Sequence, residues 1–131
     1  MDWIPLVGRV LMAMIFLASG LNHFTQYQGM VQYAQQFKAP APKLTVPLTG
    51  VMILLGGLSV LLGYRMDVGL ILLVAFLLPA AFWMHKFWGL TDPMMRANQM
   101  AHFMKNVALA GAALWMWWAE KVAGAGPFAI G

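Results

Sequence analysis

The sequence predicts an all-α integral membrane protein, a four-helix bundle with a short interfacial helix between its first and second spans. Of its 131 residues, 62% are hydrophobic and 9% are charged. A soluble domain is usually about 45–50% apolar and about 25% charged. A soluble core of this size could not bury so much apolar surface, so we expect the lipid bilayer to surround the helices.

Four apolar stretches are long enough, or nearly long enough, to cross the bilayer, since about 20 residues suffice for one crossing. They lie within a single predicted domain, residues 1–131, and the predicted spans are about 5–24, 44–64, 68–85 and 98–119. The second and third spans are separated only by Arg65, Met66 and Asp67. A connection this short predicts that these two spans form an antiparallel hairpin.

Glycine and proline positions predict local features of the spans. The second span contains small residues that permit close approach between helices, namely Gly50, Gly56, Gly57 and Gly63. Pro79 lies inside the third span, where it frees the carbonyl of Ala75 and predicts a kink. The glycine- and alanine-rich tail after Lys121 is expected to be loose.

The connection from Thr25 to Lys43 is predicted to contain a helix that lies at the membrane interface. Met30, Ala34 and Phe37 recur at helical spacing among glutamines, which is typical of an amphipathic helix. Residues 38–42 contain two prolines and cannot continue this helix.

Composition excludes several classes of chemistry. The chain has no cysteine, which removes disulfides, thiolate nucleophiles and CxxC redox motifs. A redox role must therefore use a bound cofactor, a quinone or a partner protein. The net charge of +4 comes from scattered basic residues rather than from a polybasic stripe, so no nucleic-acid partner is expected.

A polar stripe at the start of the fourth span is the main candidate for function. Its residues fall within an arc of about 120° on a helical projection, and they are Asn98, Gln99, His102, Lys105 and Asn106. Such a stripe is costly against lipid and should face the bundle. There it is expected to meet residues near the ends of the first and third spans, namely Asn22, His23, His85 and Lys86. Trp88, Phe87 and Phe103 are candidates for an apolar wall.

Each of these polar residues also has a simpler interpretation. His102, His23 and His85 are compatible with ordinary interfacial histidines. Lys105 is compatible with snorkelling toward the lipid head groups, and Asn106 with a hydrogen bond between helices.

Two further arrangements follow from the predicted topology. Four crossings place both termini on one side of the membrane and the three histidines near the other, but the loop charges do not fix the orientation. Three histidines from different helices, with Lys105 nearby to repel a cation, do not predict a metal site. Arg9 lies near the terminal side, where Asp67 and Glu120 are candidates for a structural ion pair with it.

Motifs along most of the chain resemble the DoxX family of small bacterial membrane proteins. They are Gly8-Arg9, the run from Met14 to Phe24 that contains Asn22-His23, the segment from Phe37 to Pro42, Leu54-Leu-Gly-Gly-Leu58, Pro79 followed by His85-Lys-Phe-Trp88, and His102-Phe-Met-Lys-Asn106. The chain departs from the family at His23, where lysine is frequent, and at Lys86, where aspartate is frequent.

The resemblance implies a four-helix multi-pass protein of the bacterial cytoplasmic (inner) membrane, associated with redox metabolism. Some relatives are membrane subunits of a thiosulfate:quinone oxidoreductase. The leading hypothesis is thus a redox-associated accessory subunit with a quinone or small-carbonyl pocket, in which His102, Lys105 and Asn106 contact ligand oxygens. The alternative is a non-catalytic assembly or scaffold protein for a partner oxidoreductase, and a small-molecule carrier ranks last. Whether the chain is itself an enzyme, or a homo-oligomer, is left open.

Overall fold

The computed structural model describes residues 3–130, and its regular structure in that range is entirely helical, as the sequence predicts. The helices are α1 (Trp3–Thr25), α2 (Tyr27–Gln36), α3 (Pro42–Leu62), α4 (Met66–Met84) and α5 (Pro93–Ala123). By length and composition, α1, α3 and α4 are apolar enough to cross a membrane. They match the first three predicted spans to within two residues at either end.

The turn between α3 and α4 is displaced from its predicted position. Because α4 already begins at Met66, the connection consists of residues 63–65. Gly63 and Arg65 adopt the left-handed region, with φ angles of 65° and 48°. A side chain at Gly63 would collide with Ala129 and with the Arg9 guanidinium, so glycine is required here for space as well as for its backbone conformation.

The predicted fourth span lies inside the longer helix α5. Asp92 caps its N-terminus by accepting a hydrogen bond from the backbone of Met94 at 3.4 Å, and Pro93 takes the first helical position. α5 is not among the three helices that are apolar enough to cross a membrane, and it carries charged residues in both halves, for example Lys105 and Glu120. Its crossing of the membrane stays a prediction.

Helix α2 packs against the start of α3. Val31 and Ala34 are buried against Val46, whereas the sequence pattern predicts an apolar face of Met30, Ala34 and Phe37. Phe37 falls outside that face because α2 ends at Gln36 and Phe37 caps it. The position of α2 at the membrane interface stays a prediction.

The buried core is built from the four long helices. α1 packs mainly against α3, α3 against α4, and α4 against α5. Core members from these helices are Ala13, Phe16, Ile53, Val60, Leu70, Leu73, Leu77, Ala110 and Ala113. The outer faces expose large apolar side chains, for example Leu11 at 63% and Leu44 at 67%. Lipid solvates such faces without the free-energy cost that water would impose.

Arg9 is buried at the terminal side of the fold, but it pairs differently from the prediction. Its guanidinium donates to the carbonyl oxygens of Leu61 at 3.3 Å and Pro127 at 2.9 Å. Asp67 instead accepts from Lys121 at 3.3 Å and from Arg65 at 3.4 Å. Within residues 3–130 no ion pair joins Arg9 to Asp67 or Glu120. The Leu61 and Pro127 carbonyls take the place of the predicted carboxylates because a left-handed turn and the folded-back tail bring them within reach of the guanidinium.

The C-terminal tail is held in place rather than loose. Arg9 binds the carbonyl of Pro127, and the backbone N–H of Ile130 donates to the carbonyl of Leu62 at 3.1 Å. Gly126 lies so close to Pro5 that a Cβ would come within 2.7 Å of its ring. These contacts fasten residues 124–130 across the ends of α1 and α3.

The α3–α4 crossing predicts a large effect of Gly56→Ala. A Cβ at Gly56 would lie 2.7 Å from Leu73 Cδ2 and 3.0 Å from the carbonyl oxygen of Gly69. Leu73 is fully buried and cannot move aside, so we expect Gly56→Ala to destabilise the fold by about 1–3 kcal/mol. The measurement is the thermal unfolding midpoint in detergent micelles. Gly111→Ala is the matched control, since nothing lies within 4 Å of its added Cβ, and a helical alanine stabilises by up to about 1 kcal/mol. Equal midpoints for the two variants would contradict the close crossing.

Candidate functional site

A cavity of about 640 Å³ lies among the helices, at the end of the fold where α1 and α4 terminate. α1, α2, α3, α4 and α5 all contribute to its lining. Most of this lining is apolar, and the cavity size is in the range of small-molecule sites, about 300–1,000 Å³. Its chemistry therefore depends on a few polar side chains, none of which is a carboxylate in the part of the chain that the structure describes.

Proline in the long helices leaves backbone acceptors near this cavity. Pro47 has no N–H to pair with the carbonyl of Lys43, and the Tyr27 hydroxyl donates to that carbonyl at 2.9 Å instead. Pro79 frees the carbonyl of Ala75 in the same way, and both residues line the cavity. The Ala75 carbonyl is thus an acceptor at the cavity wall.

Side-chain hydrogen bonds close the rim by joining α2 to the end of α4. The Tyr33 hydroxyl donates to the Met84 carbonyl at 2.8 Å, and the Trp83 indole N–H donates to the Phe37 carbonyl at 2.9 Å. The Gln99 amide nitrogen, on α5, donates to Tyr33 Oη at 2.9 Å and to the Met84 carbonyl at 3.2 Å. Three helices meet at this point and hold the cavity in shape.

His85 sits at the rim with its ring orientation fixed by Gln99. The Met84 carbonyl only accepts, so the amide group facing it must be the Gln99 nitrogen, and Gln99 Oε1 then faces His85. His85 Nδ1 therefore donates to Gln99 Oε1 at 3.1 Å. Its ring also stacks on the ring of His102, with centroids 5.1 Å apart.

The surroundings of His85 favour its neutral form. Burial lowers the pKa of His85 below its ordinary value, and the positive charges of His102 and Lys105 lower it further. The hydrogen bond to Gln99 acts in the opposite direction and raises it. His85 can therefore offer its Nε2 lone pair at neutral pH.

Two nearly inaccessible polar side chains lie deeper in the cavity. His23 is 4% exposed, packs edge-on against Phe76, and has Nδ1 at 2.7 Å from the carbonyl of Ser19. Asn106 is 5% exposed and lines the same cavity. No described residue hydrogen-bonds its side-chain amide. Asn106 lies two helical turns beyond Gln99, about 10 Å further along α5.

Lys105 brings a positive charge to the cavity. It lines the cavity beside Asn106 and makes no ion pair with any carboxylate among residues 3–130. Lys105 is an exposed residue that also lines the cavity, so its ammonium is available to an anionic or carbonyl oxygen there.

The structure brings together half of the eight ligand-binding candidates from the sequence. His23, His85, Lys105 and Asn106 line the cavity. The other four do not line it. The Gln99 side chain accepts a hydrogen bond from His85, and the His102 ring stacks on the His85 ring. Asn22 is exposed, one residue from His23 and thus on another face of α1. Trp88 packs edge-to-face against Phe87 and Phe103 outside the cavity.

Several polar lining residues are absent from the sequence prediction. They come from α2, α3 and α4, and they include Tyr33, Thr45, Thr49 and Trp83. Thr45 and Thr49 stand four residues apart around Pro47, a pattern that places two hydroxyls on one helix face and was available in the sequence. Tyr33 carries no such signal, because only the docking of α2 brings it to Met84. No group of three or more metal-binding residues assembles within residues 3–130.

The charge near His85 predicts a measurable shift on Lys105→Met. Removing the ammonium removes a repulsion that disfavours the imidazolium, so the pKa of His85 should rise toward its ordinary value. Histidine ¹⁵N chemical shifts, titrated in detergent micelles, report this pKa directly. Lys105→Arg keeps the charge and should leave the pKa near that of the wild type. A pKa that is unchanged or lower in Lys105→Met would show that Lys105 does not act on His85.

Comparison with known proteins assigns the family. The family model described as DoxX matches residues 4–86, which ends one residue after His85 and before α5. The inner membrane protein YphA of Escherichia coli (strain K12) is 30% identical over 109 residues, which cover 83% of this chain and 77% of that protein. No solved structure matches the chain. With three apolar helices of spanning length and a family match over most of the first four helices, this chain belongs to the DoxX family of membrane proteins.

Proposed function

We propose that this protein is a redox-associated accessory subunit of the bacterial inner membrane that binds a quinone or a similar small carbonyl compound. The observation that carries the proposal is the apolar cavity of about 640 Å³, whose lining includes Lys105 and Asn106, neither of which has a side-chain partner among the described residues. The name of the related inner membrane protein supports the location.

The membrane arrangement belongs to the same proposal. α5 crosses the bilayer as the fourth span, and Lys105 and Asn106 of its polar stripe line the cavity. Both termini then lie on one side, and α2 lies at the opposite interface, where it covers the cavity. The hydrogen bonds from Tyr33 and Trp83 to backbone carbonyls support this covering role.

The chemistry of the lining suits a flat, oxygen-bearing ring. Lys105 and the Asn106 amide nitrogen are donors for carbonyl oxygens, whereas Phe76 and Trp83 offer aromatic surface for the ring. The chain has no cysteine and thus no thiol redox centre of its own. A bound quinone would supply the redox capacity, and a partner oxidoreductase would exchange electrons with it.

The test is mass spectrometry of organic extracts from the gently purified protein. We expect the wild type to carry a quinone or another carbonyl lipid and Lys105→Met to lose most of it, because the ammonium is the strongest donor at the site. Lys86→Met is the matched control, since it removes a lysine from the same end of the fold that does not line the cavity.

Each outcome has a defined meaning. Equal retention of the ligand by the wild type and Lys105→Met would show that Lys105 does not bind it. A wild type that carries no ligand, and that binds no added menadione, would contradict the pocket and favour the assembly or scaffold role. Copurification with a single oxidoreductase would then support the assembly or scaffold role.

A further inference from the structure

The hydrogen bonds of the two cavity histidines determine which ring nitrogen remains available. The carbonyl of Ser19 only accepts, so His23 Nδ1 must carry the proton in their 2.7 Å contact. The argument from Met84 and Gln99 assigns the same tautomer to His85. In a neutral ring with a protonated Nδ1, Nε2 is a lone-pair acceptor. No described residue donates a hydrogen bond to the Nε2 of either ring.

The part of the cavity beside His23 therefore presents hydrogen-bond acceptors. His23 Nε2 and the freed carbonyl of Ala75 both accept, and neither can donate while His23 is neutral. His23 is 4% exposed, and a charged ring with a second proton is costly at a buried position. Asn106, nearly fully buried and without a described partner, has one acceptor oxygen and one donor nitrogen.

The ligand must supply donors to match this surface. A quinone carbonyl placed against His23 Nε2 would set two lone pairs against each other and leave both oxygen and nitrogen without a hydrogen bond. A hydroxyl group donates to Nε2 and still accepts from Asn106. Donors such as the Lys105 ammonium are available to any carbonyl or ionised oxygen elsewhere on the ligand.

Resting on the proposed function, we infer that the cavity selects the hydroxyl-bearing, reduced form of its aromatic ligand, a quinol or phenol, over the oxidised quinone. The ligand hydroxyl donates a hydrogen bond to His23 Nε2. His23 is thus a specificity-determining residue. The accessory subunit would then hold quinol, which is either the product of a partner that reduces quinone or the substrate of a partner that oxidises quinol.

The experiment compares ligands that share a ring system and an oxygen but differ in whether that oxygen carries a proton. 2-Naphthol and 2-methoxynaphthalene share one ring system, but only the naphthol has an O–H. Equilibrium dialysis against the full chain in detergent should show about tenfold tighter binding of the naphthol, as expected for one hydrogen bond in a dry site. Under anaerobic conditions menadiol should likewise bind more tightly than menadione.

Substitution of His23 tests the residue itself. His23→Asn keeps a donor near the Ser19 carbonyl but removes the Nε2 acceptor, so the naphthol preference should fall to nearly one. His102→Asn is the control, because His102 is exposed and does not line the cavity, and it should retain the preference. If His23→Asn fails to fold, ¹⁵N spectra of the wild type still decide: the Nε2 of His23 should be unprotonated and should shift when the naphthol binds.

The outcomes separate this inference from the proposed function. Tighter or equal binding of the ether and of menadione, or a proton on His23 Nε2, would overturn the quinol preference while leaving the pocket intact. Absence of binding by both menadione and menadiol would overturn the pocket itself, and the preference with it.

Discussion

The side-chain amide of Gln99 is the interaction on which the architecture of the cavity depends. It reaches from α5 to the end of α4 through the Met84 carbonyl, to α2 through Tyr33, and to His85 through its oxygen. One planar group thus fixes three helices and the proton position of a histidine. Without it, Tyr33 and His85 would each lose a partner, and the contact of α2 with the end of α4 would rest on the Tyr33 and Trp83 hydrogen bonds and on the packing of Met84.

A second constraint comes from the shortage of water in a bilayer, where each unpaired backbone group is costly. The chain meets it at Pro47, where the Tyr27 hydroxyl satisfies the freed carbonyl, and at the α3–α4 turn, where Ser59 donates to exposed carbonyls. Near Pro79 no described side chain donates a hydrogen bond to the Ala75 carbonyl. The Ala75 carbonyl and the Asn106 amide, which have no described side-chain partner, are therefore available to a ligand in the cavity.

Family membership and geometry bear on different parts of the molecule. The family match covers residues 4–86 and hence the helices that form the cavity walls, including His23 and His85. Lys105 and Asn106 lie beyond that match, on α5. The ligand preference that we propose therefore depends partly on residues outside the family match. They support a ligand with both an anionic or carbonyl oxygen and a hydroxyl donor.

Hydropathy alone determined the helical class, the three apolar helices to within two residues, and the stripe that carries Lys105 and Asn106, because these depend on local periodicity and solvent preference. The contacts of Gly56 were likewise foreseeable, since small residues in a span indicate close packing. Sequence could not supply the role of Tyr33, the carbonyl partners of Arg9 or the anchored tail, because these join residues 51 to 118 positions apart. Such contacts exist only once the helices have docked. The tertiary structure alone decided which nitrogen of His85 remains free, because that depends on carbonyl and amide groups brought together by packing, whereas the Ser19 carbonyl that orients His23 lies one turn earlier in the same helix.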